Sequence, residues 1–195
     1  MLNPDRIKTT YTMNPSASLG PRLDTILELV KQLQQQTPYS CTWDCCCDHG
    51  YLGIKILTEN ACEKLVFVDQ VPHIIEQLAA KLAPFSTGKH ALVTADVGEI
   101  YFDAGQRHLV ILAGVGGERT VHIVSAIRRN NPHVVIDYIF CPSTSQHALR
   151  DYLAVQGLAI TSDTVACEKR RHYEIMYVAA SAASDQALGV PDARL

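Results

Sequence analysis

The sequence has 195 residues, 47% of them hydrophobic and 19% charged, with a formal net charge of −3. That length supports one domain with a sizeable core, and the acidic balance excludes an overall basic field for nucleic acid while leaving room for a local basic patch. There is no apolar run of roughly 18 residues to cross a membrane, and the N-terminus lacks a signal-peptide core, so a cytoplasmic protein is expected.

Taken in order, residues 1–17 carry Ser, Thr and Pro with few apolar side chains and read as a flexible arm. A helix is expected over 19–36, because Leu23, Ile26, Leu27, Val30 and Leu33 recur at helical spacing. Arg22 stands at its start, where a lone charge is by default solvated. A first strand over 41–47 is followed by a helix over 52–57. Residues 64–69 form a continuous apolar run closed by Asp69, the pattern of a buried parallel strand. A helix over 74–82 ends before Gly88, a third strand over 91–95 ends in Asp96, and a fourth over 108–113 runs into Gly114-Val115-Gly116-Gly117. Three glycines in four residues imply a sharp bend or close approach to a ligand. A helix over 118–129, a fifth strand over 134–140 closed by Cys141-Pro142, and a helix from about Ser145 to Val155 follow. Two last strands, 158–165 and 173–179, flank a charged connection from Cys167 to His172, and residues 181–195 read as a flexible tail.

Strands alternating with helices predict a doubly wound α/β sheet spanning residues 18–180. The last two strands have no helix between them and must pair antiparallel. Seven strands, mostly parallel with one antiparallel, is the Rossmann-like plan of class I methyltransferases, rather than the all-parallel dinucleotide plan.

The chemistry is expected at the first strand-to-helix junction, Trp43 to Gly53, where a parallel sheet leaves a crevice beyond its strand ends and a helix presents unpaired N–H groups. The dinucleotide pattern G-x-G-x-x-G fails here, which weakens a dehydrogenase reading. The methyltransferase pattern, acidic-x-G-x-G-x-G, would read Asp44-x-Cys46-x-Asp48-x-Gly50. The acid and last glycine fit; the middle glycines are Cys and Asp. S-adenosylmethionine (SAM) carries an amine and a sulfonium, so a loop with two carboxylates suits it. Asp69 lies 25 positions beyond Asp44; an acid at the second strand tip is placed to accept both hydrogen bonds of a ribose diol, or else to cap a helix. Asp96 is placed to accept from an adenine amine.

Seven cysteines stand at 41, 45, 46, 47, 62, 141 and 167. An odd number argues against a disulfide framework. Consecutive residues of a strand face opposite ways, so Cys45-Cys46-Cys47 is read as buried strand and turn, with no metal expected.

With these pieces placed, the chain resembles the bacterial tRNA adenine-N1 methyltransferases that modify position 22, the TrmK family. The resemblance runs from about Leu19 to Val178. It rests on Arg22-Leu23; Asp44 with Asp48-His49-x-Tyr51-Leu52; Ala113-Gly114-x-Gly116-Gly117; Pro142; and Leu149-Arg150 through Gly157 to Tyr173-Glu174-Ile175. Many methyltransferases instead carry Asn/Asp-Pro-Pro-Tyr after the fourth strand. The chain departs from the family at Cys46, where the family has glycine, and at Asp69, where the family usually has Glu. Family members also continue into a helical coiled coil thought to grip tRNA, and no heptads precede Leu195.

The resemblance implies SAM as cofactor and tRNA as partner. Cofactor contacts are then expected from Asp44, Cys46, Asp48 and Gly50 of the first loop, from Asp69 and Gln70, from Asp96 and Val97, and from Ala113 and Gly114. Asp48, His49 and Gly114 are the expected catalytic residues, against a purely structural hydrogen bond for His49. Arg22, Gly116, Pro142 and Tyr173 are the expected substrate contacts, with Tyr173 as stacking platform or strand filler. Arg128, Arg129 and Lys169 to His172 are candidate phosphate contacts. Three functions stay open: an RNA adenine-N1 methyltransferase, a methyltransferase of a small molecule or protein, and a non-catalytic SAM-fold protein.

Overall fold

A computed structural model describes residues 19–85 and 88–180; the expected arm and tail lie outside them. Seven strands form one sheet: β1 Cys41–Cys45, β2 Leu65–Asp69, β3 His90–Thr94, β4 Arg107–Ala113, β5 Val135–Cys141, β6 Ile160–Glu168 and β7 Arg171–Val178. Their order is β3-β2-β1-β4-β5-β7-β6. All neighbouring pairs from β3 through β5 are parallel, and β7 alone runs against both of its neighbours. The doubly wound sheet with one antiparallel strand is therefore as expected.

Five helices cover the two faces: α1 Pro21–Gln36, α2 Tyr51–Thr58, α3 Pro72–Leu82, α4 Gly117–Asn130 and α5 Gln146–Val155. Strand side chains alternate between faces, and β2 shows the consequence. Leu65 and Phe67 pack with α1, α2 and α3 in one cluster, whereas Val66 and Val68 pack with α4 and α5 in the other. Every residue of β2 is buried, so neither face could carry polar side chains without cost. Each large apolar side chain so buried contributes roughly 1.5–3 kcal/mol.

Several boundaries move, each for a local reason. α1 begins at Pro21, whose fixed φ suits the first helical position and whose missing N–H is no loss there. β1 stops at Cys45, not Cys47, because Cys46 turns to φ +55°. Between β3 and β4 a single 3-10 turn, Val97–Glu99, is capped by Asp96, whose Oδ1 accepts from Gly98 N at 2.9 Å. The charged stretch Cys167–His172 is a connection only at Lys169 and Arg170; Glu168 pairs with Arg171 and Cys167 with His172 in the β6–β7 ladder. Backbone pairing at a sheet edge does not need apolar side chains, which is why charge alone misplaced that boundary.

Candidate functional site

The strand order reverses between β1 and β4, so the crevice lies beyond the carboxyl ends of β1, β2, β3 and β4. Its floor is the loop from Asp44 to Gly50. Cys46, Asp48 and Gly50 have φ of 55°, 46° and 69°. These are the three positions where the methyltransferase pattern puts glycine, and all three are left-handed, the region glycine enters most cheaply. The backbone thus keeps the glycine-loop shape with two non-glycine residues in it. Asp tolerates this conformation; a cysteine there is strained, at roughly 1–2 kcal/mol.

Gly53 completes the motif, and the sequence reading gave it no role. A Cβ there would stand 2.2 Å from the Phe67 ring and 2.7 Å from Asp44 Oδ2, so only glycine lets α2 sit this close to the sheet. Gly53 N donates to Asp44 Oδ2 at 3.0 Å. Asp44 is 5% exposed, and burial pushes its carboxyl up to about 7, against the opposing pull of that hydrogen bond. One of its oxygens therefore serves α2, turned beneath the helix.

Asp69 ties the crevice together. Its Oδ1 accepts from Val71 N at 3.0 Å and its Oδ2 from Asp48 N at 3.3 Å. The helix cap position is Val71, without a side-chain cap, so Asp69 braces the turn ahead of α3 rather than capping that helix. Each carboxylate oxygen keeps a further lone pair. Gln70 Oε1 accepts from Arg119 Nη2 at 3.3 Å, joining the β2 tip to the first turn of α4. The Cys46 thiol is pushed up to about 11, chiefly by burial, with the charges of Asp69, Arg119 and Asp96 also acting on it. Beside Asp96 a cavity of about 770 Å³ opens between the 3-10 turn and α4, lined also by Tyr101, Arg119, His122 and Arg129. Val97 is buried next to it. Arg119 and Tyr101 carried no sequence signal; single surface residues of this kind become visible only when the helix is docked.

Asp48 and His49 stand exposed at the mouth, with Asp48 Oδ2 3.9 Å from His49 Nε2. The His49 ring lies 5.4 Å from that of Tyr51, and its carbonyl accepts from Lys81 Nζ at 3.0 Å.

A second group gathers across the crevice, near the ends of β4, β5 and β7. Arg22 lies over the Tyr173 ring, 5.2 Å from its centre. Its Nη1 would be 3.6 Å from a Cβ on Gly114, which has φ +87°. Arg22 N donates to Glu168 Oε2 at 3.3 Å, while Arg22 Nε is buried without a hydrogen-bond partner. Cys141 lies against the same guanidinium; burial raises its thiol and Arg22 opposes the rise. Gly114 N donates to Cys141 O at 2.9 Å and Ser143 N to Val115 O at 2.9 Å, so the loops after β4 and β5 are zipped together around buried Pro142. Gly116 and Gly117 permit this: a Cβ on Gly117 would meet Ser145 O at 2.1 Å. Arg22, Gly114, Gly116, Pro142 and Tyr173 are thus brought to one side, and Cys46, Asp48, Asp69, Gln70 and Asp96 to the other. No group of three or more His, Cys, Asp or Glu that could hold a metal ion occurs among the described residues.

This strand order and crevice define the Rossmann-like α/β fold of methyltransferases. A family model described as a methyltransferase domain matches residues 19–176, and the chain belongs to that family. No curated protein sequence matches it. Among solved structures, the B. subtilis tRNA methyltransferase TrmK superposes with a TM-score of 0.72 at 17% identity, over 84% of this chain and 67% of that one. Streptococcus pneumoniae Sp1610, in complex with S-adenosyl-L-methionine, gives 0.71 at 19% identity over 84% and 74%. M. capricolum TrmK, in complex with S-adenosyl-homocysteine, gives 0.70 at 17% over 85% and 70%. At these identities the likeness is one of fold. Among the described residues, no helix is long and apolar enough to cross a membrane.

Proposed function

We propose that this chain is a SAM-dependent methyltransferase that methylates N1 of an adenine in tRNA. The observation that carries the reading is the convergence of two groups on one crevice: a glycine-type acidic loop, and the Arg22–Tyr173–Gly114 group facing it. The structural neighbours named for tRNA methylation, or complexed with SAM, support it. The donor set suits the cofactor: Asp48 offers an exposed carboxylate for an amine, Asp69 has free lone pairs for a diol, and Asp96 stands at the cavity for an adenine. When bound, SAM supplies an electrophilic methyl on sulfur.

Adenine N1 has a lone pair and needs no proton removed first, so the protein's task is positioning. Tyr173 offers a stacking face, and the buried, unpartnered Nε of Arg22 offers a donor. Positive charge grows on the adenine as the methyl arrives, and backbone carbonyls of the Ala113–Gly116 turn can accept from its N6 protons. His49 and Asp48, at the mouth, hold or relay protons there.

The net charge of −3 favours a second reading, methylation of a small molecule or protein; salt-dependent tRNA binding would sink it. A non-catalytic SAM-fold protein is the third, and SAM-dependent labelling of any acceptor removes it. The test is calorimetric titration with SAM. The wild type is expected to bind, and Asp69→Ala to bind more weakly by about 1–3 kcal/mol, the worth of charge-assisted hydrogen bonds. No binding by the wild type ends the enzyme reading. Methyl transfer to tRNA is the second assay.

A further inference from the structure

The β6–β7 hairpin breaks a local rule at its tip. Glu168 pairs with Arg171, leaving a two-residue turn of Lys169 and Arg170, with φ of 49° and 65°. Two left-handed residues make this a type I′ turn, for which Asn-Gly is the favoured pair. Lys-Arg is a poor choice for the backbone. Where a sequence accepts such strain, the side chains are kept for another purpose.

Four basic residues follow one another here: Lys169, Arg170, Arg171 and His172, all exposed. None has an ion-pair partner among the described residues. The nearby acids are engaged elsewhere. Asp163 and Glu174 both hold Arg150 at 2.7 Å, and Glu168 takes the backbone N–H of Arg22. The tip also lies at the crevice end of the sheet. β7 runs antiparallel to β5 with Met176 opposite Phe140, so its Arg171 end extends past the end of β5. The Glu168–Arg22 bond and the stacking of Arg22 on Tyr173 tie the hairpin to the loop at Gly114.

We propose that the tip of this hairpin is an RNA phosphate contact, in which Lys169 and Arg170, supported by Arg171, hold the backbone of tRNA beside the Arg22–Tyr173–Gly114 group. It rests on the tRNA reading above. A phosphate contact needs cations not already neutralised, a stiff support and a position next to the reacting base, and this two-stranded ribbon supplies all three. In a chain of net charge −3, such a local patch is also where affinity for RNA has to come from.

The test exploits the turn. Lys169→Asn combined with Arg170→Gly restores the favoured I′ pair while removing two charges, so melting temperature holds or rises and SAM affinity is unchanged. Binding of bulk bacterial tRNA is titrated against salt. The variant's slope of log K on log[salt] is expected to be shallower by roughly 1.5–2, and its affinity at about 0.1 M salt to fall about ten-fold or more. KM for tRNA rises, and kcat at saturating tRNA holds. Lys64→Gln, at the opposite end of the sheet, serves as the control and leaves affinity and slope as in the wild type. If the wild type binds and methylates tRNA and the double variant matches it in slope and affinity, the hairpin proposal is overturned and the tRNA reading stands. If the wild type binds SAM but not tRNA at low salt, both are overturned.

Discussion

Three aspartates of the sheet are buried, and two of them, Asp44 on β1 and Asp137 on β5, are treated in opposite ways. Asp137, near the start of β5, is fully buried. Its Oδ2 accepts from Tyr39 Oη at 2.5 Å, Tyr177 Oη at 2.9 Å and Arg107 Nη2 at 2.7 Å, and its Oδ1 from Ala180 N at 2.7 Å. Asp44, at the crevice end of β1, receives the Gly53 N–H and has no ion-pair partner among the described residues. A buried carboxylate is tolerable when hydrogen bonds and a counter-charge replace its water. The far end of the sheet meets that condition and the crevice end does not. Left-handed Cys46 and Asp48 add backbone strain on the crevice loop.

The largest test of this contrast is Asp137→Ala. It strands two tyrosine hydroxyls and a guanidinium, so urea denaturation should show a loss of about 3–5 kcal/mol. A loss below about 1 kcal/mol would erase the contrast. Next is Asp44→Asn, which keeps an acceptor for Gly53 and removes the charge. The Asp44 carboxyl titrates near 7 in the folded protein and near 3.9 unfolded. Between those values the folded state holds a proton the unfolded state has released, so stability falls as pH rises through this window. At pH 8 the ligand-free Asn variant should be more stable by about 2–4 kcal/mol, and at pH 3.5 it should match the wild type. Equal melting temperatures at pH 8 would show that Asp44 is better solvated than its burial implies. The smallest expected effect is Cys46→Gly. Relief of about 1 kcal/mol of left-handed strain is offset by glycine's greater chain entropy, so stability should shift by no more than about 0.5 kcal/mol. SAM affinity should be retained; a large drop on titration would mean that the thiol itself meets the ligand.

Much of this was legible in the letters. β2 declared itself through an unbroken apolar run ending in Asp69, and the loop after β4 through three glycines. Both signals are local, fixed by what a buried strand and a sharp bend require. Asp44 was legible as an acid at the right place, but not as one turned beneath α2, because that depends on how closely Gly53 lets the helix approach Phe67. The Asp137 network was passed over. A lone acid inside the apolar run of β5 was the available sign, but its partners Tyr39, Arg107 and Tyr177 come from three distant segments. The bracing role of Asp69 toward Asp48 N was hidden for the same reason. Local patterns fix elements, whereas the partners of a buried charge are a property of the assembled sheet.

The bond from Glu168 to the first turn of α1 spans 146 positions, and this has a consequence for biosynthesis. A chain emerges from the ribosome N-terminus first. The loops on the cofactor side, between residues 44 and 117, are complete long before Glu168 and Tyr173 exist. Arg22 is among the earliest of the described residues to be made, yet both of its partners on the hairpin are among the last. Under the proposed assignment, the residues that would meet SAM are synthesised well before Tyr173, which would meet the acceptor base. The proposed acceptor side closes only when the β6–β7 ribbon folds back onto α1, because Glu168 and Tyr173 are both carried by that ribbon.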